Sequence, residues 1–168
     1  MGLTPPVPLG PDHETGPFHC GEPTLDDWLK RRAARNEESG ASRTFVVCEN
    51  RRVVGYYALA VGAVLRAEAP SGLRRNMPES IPVMVLGRLA VDKDWQGRGI
   101  GAALLADALR RTLMVSRHAG LRALLVHALS RRAREFYLRW GFRPSPVDEM
   151  TLMLGLEEVR RVYEEAAP

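Results

Sequence analysis

The segment Gln96-Gly-Arg-Gly-Ile-Gly101 places three glycines within six residues. Glycine lets a backbone turn tightly and come close to an anion. If a helix begins there, its free N–H groups and the positive end of its dipole face that anion as well. Ile100, Leu104, Ala108, Leu109 and Leu113 form one apolar stripe, so a helix does begin at these glycines and the segment reads as a site for a pyrophosphate. Several nucleotide chemistries use such a loop, and two are tested first. A P-loop needs Gly-x4-Gly-Lys-Ser/Thr, and no lysine follows the glycines. The dinucleotide fingerprint is met loosely by Gly97-x-Gly99-x-x-Ala102, yet the next strand, Leu121 to His127, ends in histidine where a ribose-binding acid belongs. The plain structural alternative is a tight strand–helix turn.

A second group of residues with chemical potential is Ser130-x-x-Ala133-x-x-Phe136-Tyr137, followed by Trp140-Gly141-Phe142. Ala133, Phe136, Tyr137 and Trp140 fall at helical spacing, so they form a short amphipathic helix stopped by Gly141. Tyr137 is either a core tyrosine on that stripe or a phenol able to donate a proton. Around it the charge is one-sided. From Arg110 to Arg143 there are nine arginines and a single acid, Glu135, while the tail after Phe142 turns acidic. Lys30 and Lys93 are the only lysines, so the positive charge is nearly all guanidinium, the group that grips phosphate bidentately. Arg131, Arg132 and Arg134 sit in the first turns of their helix, where the dipole disfavours cations by about 0.3–1 kcal/mol each. A polyanion would offset that cost, and so would solvation. Arg88 lies within a strand and either meets a substrate or pairs with Asp92 or Glu79. His118 and His127 read as structural or solvated. No residue stands out as a general base, with Asp92 and Glu79 able to act only through water.

The elements that position these residues follow from periodicity. Residues 1–17 form an arm or edge strand, and Thr24 caps a helix that Gly40 closes. Arg43 to Glu49 and Val53 to Val61 pair as a hairpin through Asn50-Arg51-Arg52. Residues 66–82, with three prolines, form a loop or broken helix, and Val83 to Val91 is the strand feeding the glycines. Gly120 ends the long helix, Leu121 to His127 is a buried strand, Met150 to Leu154 is the last strand, and a charged helix follows. The order predicts an α/β or α+β sandwich around one mixed sheet.

Composition narrows the class. With 168 residues, 45% apolar and 26% charged, the chain has the size and balance of a single globular domain. Its longest apolar run, Val53 to Leu65, is too short for a bilayer, and Met1 to Pro11 lacks the basic start and apolar core of a signal sequence. A cytoplasmic protein with no membrane association is expected. Cys20 and Cys48 match no metal spacing, so two reduced thiols and no metal site are expected.

Taken together, the two glycine and tyrosine segments resemble the GNAT acetyltransferases. Gln96-x-x-Gly99-x-Gly101 is similar to that family's Gln/Arg-x-x-Gly-x-Gly/Ala pyrophosphate loop. The Ser130 to Phe142 segment resembles its Asn-x-x-Ala-x-x-x-Tyr…Gly-Phe signature, with Ser130 where the family usually has asparagine. One helix and one strand separate the two. The resemblance implies a GNAT fold, α/β (α+β), with a mixed, mostly antiparallel sheet flanked by helices. Residues 1–168 would form a single domain, with 156–168 as its C-terminal helix or tail. It implies acetyl-CoA as cofactor, held by Leu89, Ala90, Val91, Gln96, Gly97, Arg98, Gly99, Ile100, Gly101, Ala102, Ser130, Ala133 and Phe136. Tyr137 would be the catalytic acid that protonates the departing thiolate.

Phe18-His-Cys-Gly21, Leu25-Asp-Asp-Trp-Leu29, Arg43-Thr-Phe-Val46, Val54-Gly-Tyr-Tyr-Ala-Leu59 and Leu86-Gly-Arg-Leu-Ala-Val-Asp92 narrow the resemblance to the GNAT toxins of bacterial toxin–antitoxin modules. What this implies is acetylation of the α-amino group of charged tRNA, which blocks translation, with Arg88, Arg131 and Arg132 as tRNA contacts. It also implies a homodimer and a small ribbon–helix–helix antitoxin as partner. Two other functions remain open on the residues: acetylation of a small amine or a protein N-terminus, and a non-catalytic acyl-CoA-binding module. The arginine-rich 110–143 stretch favours the tRNA substrate, since a small amine would be better attracted by an acidic pocket.

Overall fold

The computed structural model describes residues 2–166, with side chains through residue 161. Met1 and the last two residues of the expected 156–168 tail lie outside the described residues. The strands are β1 (Val7–Pro8), β2 (Arg43–Glu49), β3 (Arg52–Leu65), β4 (Ser80–Val91), β5 (Ala123–His127), β6 (Arg143–Ser145) and β7 (Asp148–Gly155). The helices are α1 (Pro23–Arg31), α2 (Ala33–Ser39), α3 (Ser71–Arg74), α4 (Ile100–Ser116), α5 (Arg131–Arg139) and α6 (Leu156–Ala166). The strands join in the order β1-β2-β3-β4-β5-β7-β6 in one seven-stranded sheet. β4 and β5 run parallel, while β1/β2, β2/β3, β5/β7 and β6/β7 are antiparallel. The chain divides into two compact units, Met1–Ala60 with Gly87–Ala108 and Val61–Leu86 with Leu109–Pro168.

In the first unit the N-terminal arm is an edge strand, with Val7 opposite Val46. The hairpin pairs from Arg43↔Leu59 to Glu49↔Arg52 with a one-residue register shift between Val47 and Cys48, and Asn50 takes the positive φ of 56° that its tight turn demands. The helix expected to be capped by Thr24 instead starts at Pro23 behind Glu22. Proline has no N–H to satisfy and a φ preset for the helix, so it takes the first position and puts Thr24 inside. That helix also breaks at Arg32 before α2 ends, as expected, on Gly40 at φ 79°. Leu25 and Leu29 of α1 pack with Phe18, Val46, Val53, Tyr56 and Ala90. Gly55 lets α4 come close to β3, since a Cβ there would lie 3.0 Å from Ile100 and 3.2 Å from Leu104.

In the second unit Val83 to Leu86 pair with Ala123 to Val126, and β5 is buried over those four residues, as the continuous apolar run requires. Val64, Ala69, Leu73, Ile81, Val83, Ala123, Leu125 and Met153 form its core. The stretch expected to be a loop or broken helix over 66–82 holds a 3₁₀ turn, Arg66–Glu68, followed by α3, and β4 begins three residues earlier than periodicity suggests, at Ser80. α4 stops at Ser116, well before Gly120, with the Ser116 hydroxyl donating to the Leu113 carbonyl at 2.6 Å. A serine that bonds its own preceding turn competes with helix continuation. β6 is a short strand that local pattern did not reveal.

Candidate active site

The glycine loop belongs to the first unit and is shaped from its edges. Asp92 follows β4 and is 1% exposed. Its carboxylate accepts from the N–H groups of Asp94 and His19, each at 3.0 Å, and pairs with Arg52 at 3.5 Å. A carboxylate spent on three partners holds the turn and is not free to work through water, which removes Asp92 as a base. Gln96 is also structural in its side chain: its amide donates to the carbonyls of Val91 (2.9 Å) and Cys20 (3.0 Å). Gly97 and Gly99 have φ of 78° and 83°, the left-handed region that L side chains avoid, and a Cβ on either would enter open space. The loop is therefore glycine for its backbone and not for crowding, and its open side is where a ligand can approach.

α4 begins immediately after. Its first N–H groups have no intrahelical partner, and that of Ala103 is taken by the Gly99 carbonyl at 3.1 Å. Among the described residues none accepts from the N–H of Gly99, Gly101 or Ala102. Arg98 lies 4.6 Å over the Trp95 ring and donates to the Asp94 carbonyl. Unclaimed backbone donors, a helix N-terminus and an adjacent guanidinium match the charge and reach of a diphosphate.

Upstream on β4, Ala90 is buried in the core while Leu89 and Val91 are half-buried. Arg88 pairs with neither Asp92 nor Glu79. Its guanidinium lies 4.6 Å over Trp28, which stacks on Tyr56 at 5.9 Å. Cys20 donates its N–H to Asp26; burial first, then a hydrogen bond of the thiol itself with Asp26, pushes that thiol up to about 11. Burial raises the Cys48 thiol as well. Both cysteines are free, and among the described residues no cluster of His, Cys, Asp and Glu could hold a metal ion. No described helix is long and apolar enough to cross a membrane.

The tyrosine helix belongs to the second unit. Ser130 caps α5: its hydroxyl accepts from the Ala133 N–H at 3.1 Å, which shows why a serine suits this position. Ala133 and Phe136 are half-buried, and Tyr137 is 7% exposed. Its ring lies 5.2 Å from Phe136 and 5.3 Å from Phe142. Trp140, expected on the same stripe, is the C-cap and 37% exposed, because Gly141 at φ 95° turns the chain away there. Burial holds the Tyr137 phenol well above its ordinary value, so it stays protonated, and among the described residues its hydroxyl has no hydrogen-bond partner. A neutral, unclaimed phenol is what a proton donor requires.

The arginines divide. Arg131 pairs with Glu149 at 3.0 Å, and Arg134 donates to the Glu149 carbonyl at 2.8 Å. Arg132 is exposed and has no ion pair among the described residues. His127, read from the sequence as structural or solvated, has its Nδ1 2.8 Å from the Thr151 hydroxyl. No signal in the sequence links residues 24 positions apart on two strands.

The family described as acetyltransferase (GNAT) domain matches residues 40–144. A tRNA-acetylating toxin of Mycobacterium tuberculosis (strain ATCC 25618 / H37Rv) is 48% identical over 159 residues, covering 95% of this chain and 96% of that protein. Among solved structures, AtaT complexed with acetyl-methionyl-tRNAfMet superposes with a TM-score of 0.89 at 31% identity, covering 96% of this chain and 99% of that one. A tyrosine-to-phenylalanine mutant of the AtaT toxin, bound to the C-terminus of the antitoxin AtaR and acetyl-CoA, gives 0.83 at 29% identity, covering 96% and 98%.

Proposed function

The chain belongs to the GNAT acetyltransferase family, and from that premise we propose that it is a toxin that acetylates the α-amino group of aminoacyl-tRNA and so blocks translation. The observation that carries this reading is the likeness, over nearly all of both chains, to the mycobacterial tRNA-acetylating toxin. Acetyl-CoA supplies the activated acetyl group. The whole chain acts as one acetyltransferase domain in this reading.

Each residue has a task. The backbone N–H groups of Gly97, Arg98, Gly99, Ile100, Gly101 and Ala102 hold the pyrophosphate, and Gln96 sets the loop's shape through Val91 and Cys20. Leu89, Ala90 and Val91 line the acyl-bearing arm with strand backbone, and Ser130, Ala133 and Phe136 contribute from α5. Tyr137 donates its phenolic proton to the departing thiolate, a role for which a neutral hydroxyl is needed. Arg88 and Arg132 contact the RNA through guanidinium groups with no carboxylate partner among the described residues, while Arg131 must share itself with Glu149. The partners are charged tRNA, a second copy of the chain in a homodimer, and a ribbon–helix–helix antitoxin. The site of action is the cytoplasm, where translation runs.

The test is direct. Purified protein is incubated with acetyl-CoA and total charged tRNA, and the released aminoacyl adenosines are analysed by mass. An N-acetylated aminoacyl adenosine is expected. Unmodified aminoacyl adenosines, alongside acetylation of a small amine, would replace this reading with the small-amine one.

A further inference from the structure

His127 is the last residue of β5, one past the final β4–β5 pair, Leu86↔Val126, and it faces Thr151 across the β5–β7 ladder. Its Nδ1 lies 2.8 Å from Thr151 Oγ1. The same hydroxyl donates to Asp148 Oδ2, also at 2.8 Å. A hydroxyl has one proton to give. Asp148 also accepts from the Met150 N–H, and that bond followed by the Thr151 bond keeps its carboxyl below the usual range, an acceptor only. The neighbouring acid of β7, Glu149, is engaged by Arg131 and Arg134 of α5, so Asp148 is the carboxylate behind this chain. With the Thr151 proton committed to Asp148, Nδ1 of His127 must be the donor to Oγ1. That fixes the tautomer of the neutral ring: the lone pair is on Nε2, and the side chain is exposed. Three residues on, Ser130 caps the helix that carries Tyr137.

The proposed reaction leaves a need unfilled. An α-ammonium must lose a proton before it can attack; Asp92 is spent on its three partners, and Glu79 is exposed with no side-chain partner among the described residues to orient it. We propose that His127 is the general base of the transfer, positioned by Thr151 and Asp148, and this rests on the aminoacyl-tRNA reading. Nε2 takes one proton from the ammonium. The freed electron pair forms the N–C bond to the acetyl carbon, and the C–S bond breaks as the thiolate leaves. Tyr137 gives its proton to that sulfur and recovers one from the newly acylated nitrogen. His127 then releases its proton to solvent, which closes the balance at one acetyl group moved and one proton freed.

The experiment compares wild type with His127→Ala and Thr151→Val, using acetyl-CoA and charged tRNA. His127→Ala should lower kcat about 10²-fold with the KM for acetyl-CoA unchanged, and added imidazole should restore part of the rate. Thr151→Val keeps the base but frees its tautomer, so its kcat should fall less. ¹⁵N shifts of the wild-type imidazole should report Nδ1–H and a bare Nε2, and the opposite tautomer would overturn the proposal whatever the rates. A His127→Ala protein that turns over at the wild-type rate, or whose loss imidazole does not restore at an unchanged melting temperature, would overturn it alone. A wild type that leaves charged tRNA unmodified would overturn the substrate reading, and this role with it.

Discussion

Two helices of this protein start with opposite chemistry. α4 opens on two left-handed glycines whose side is bare, and the N–H groups of Gly101 and Ala102 in its first turn have no protein acceptor among the described residues. α5 opens on Ser130, which satisfies its own third residue, and then carries Arg131, Arg132 and Arg134 against the helix dipole. The first start leaves donors open, as the proposed pyrophosphate site requires. The second has a side-chain cap on its third N–H, and its helix carries the buried ring of Tyr137. A helix N-terminus is an anion site only when the protein leaves its donors unclaimed.

Breaking the open start should have the largest effect. Gly99→Asp places both a side chain and a negative charge where the diphosphate goes, so acetyl-CoA binding measured by calorimetry should be lost. Gly99→Ala separates the causes: at φ 83° it should cost about 1–2 kcal/mol of strain and weaken binding without adding charge. Retained affinity in a folded Gly99→Asp protein would end the assignment of this loop.

Next comes Tyr137→Phe, which keeps the ring against Phe136 and Phe142 and deletes the hydroxyl. Turnover should fall about 10²–10⁴-fold with acetyl-CoA affinity unchanged, and growth arrest in cells should be relieved. The pH dependence has a definite sign. Burial raises this phenol, so it keeps its proton through neutral and mildly alkaline solution. The rate should show no loss attributable to Tyr137 below the ordinary tyrosine value of about 10. A fall in rate at pH 8 to 9 that the phenylalanine variant abolishes would contradict that.

Smaller effects sharpen the contrast at α5. Ser130→Ala should cost about 1 kcal/mol of stability, read as a lower melting temperature, because the Ala133 N–H loses its acceptor. If acetyl-CoA affinity falls with it, the serine touches the cofactor as well as the helix. Smallest is the salt test on tRNA binding. Arg132→Gln should flatten the dependence of log K on log salt by about one unit. Arg131→Gln should flatten it less, since Glu149 already neutralises that guanidinium. Equal slopes for both would mean that the pairing does not survive in the complex.

Much of this contrast is legible in the sequence. Three glycines ahead of an apolar stripe specify a bare helix start, and Ser130, Ala133 and Tyr137 lie at spacings that only a short helix satisfies. These are local properties: φ preferences and a period of 3.6 residues act on neighbours along the chain, so sequence alone determines them. Where local signals competed, the sequence misled. Thr24 looks like a cap, yet Pro23 has the stronger claim on the helix start. Trp140 continues the spacing of the apolar stripe, yet as the C-cap it is 37% exposed.

What tertiary structure decided is the duty of each polar side chain. Asp92 could have been a base until His19, Asp94 and Arg52 converged on it. Gln96 reads as a ligand contact but ties Cys20 to Val91, and Arg88 finds an indole in place of an acid. His127 becomes oriented only because β5 and β7 pair in a register that sets it beside Thr151. A hydrogen bond acts over about 3 Å, and whether a distant residue comes within that range depends on strand register and helix packing. No periodicity along the chain encodes that distance directly, so the sequence names the groups able to do chemistry and the fold decides which of them are left free to do it.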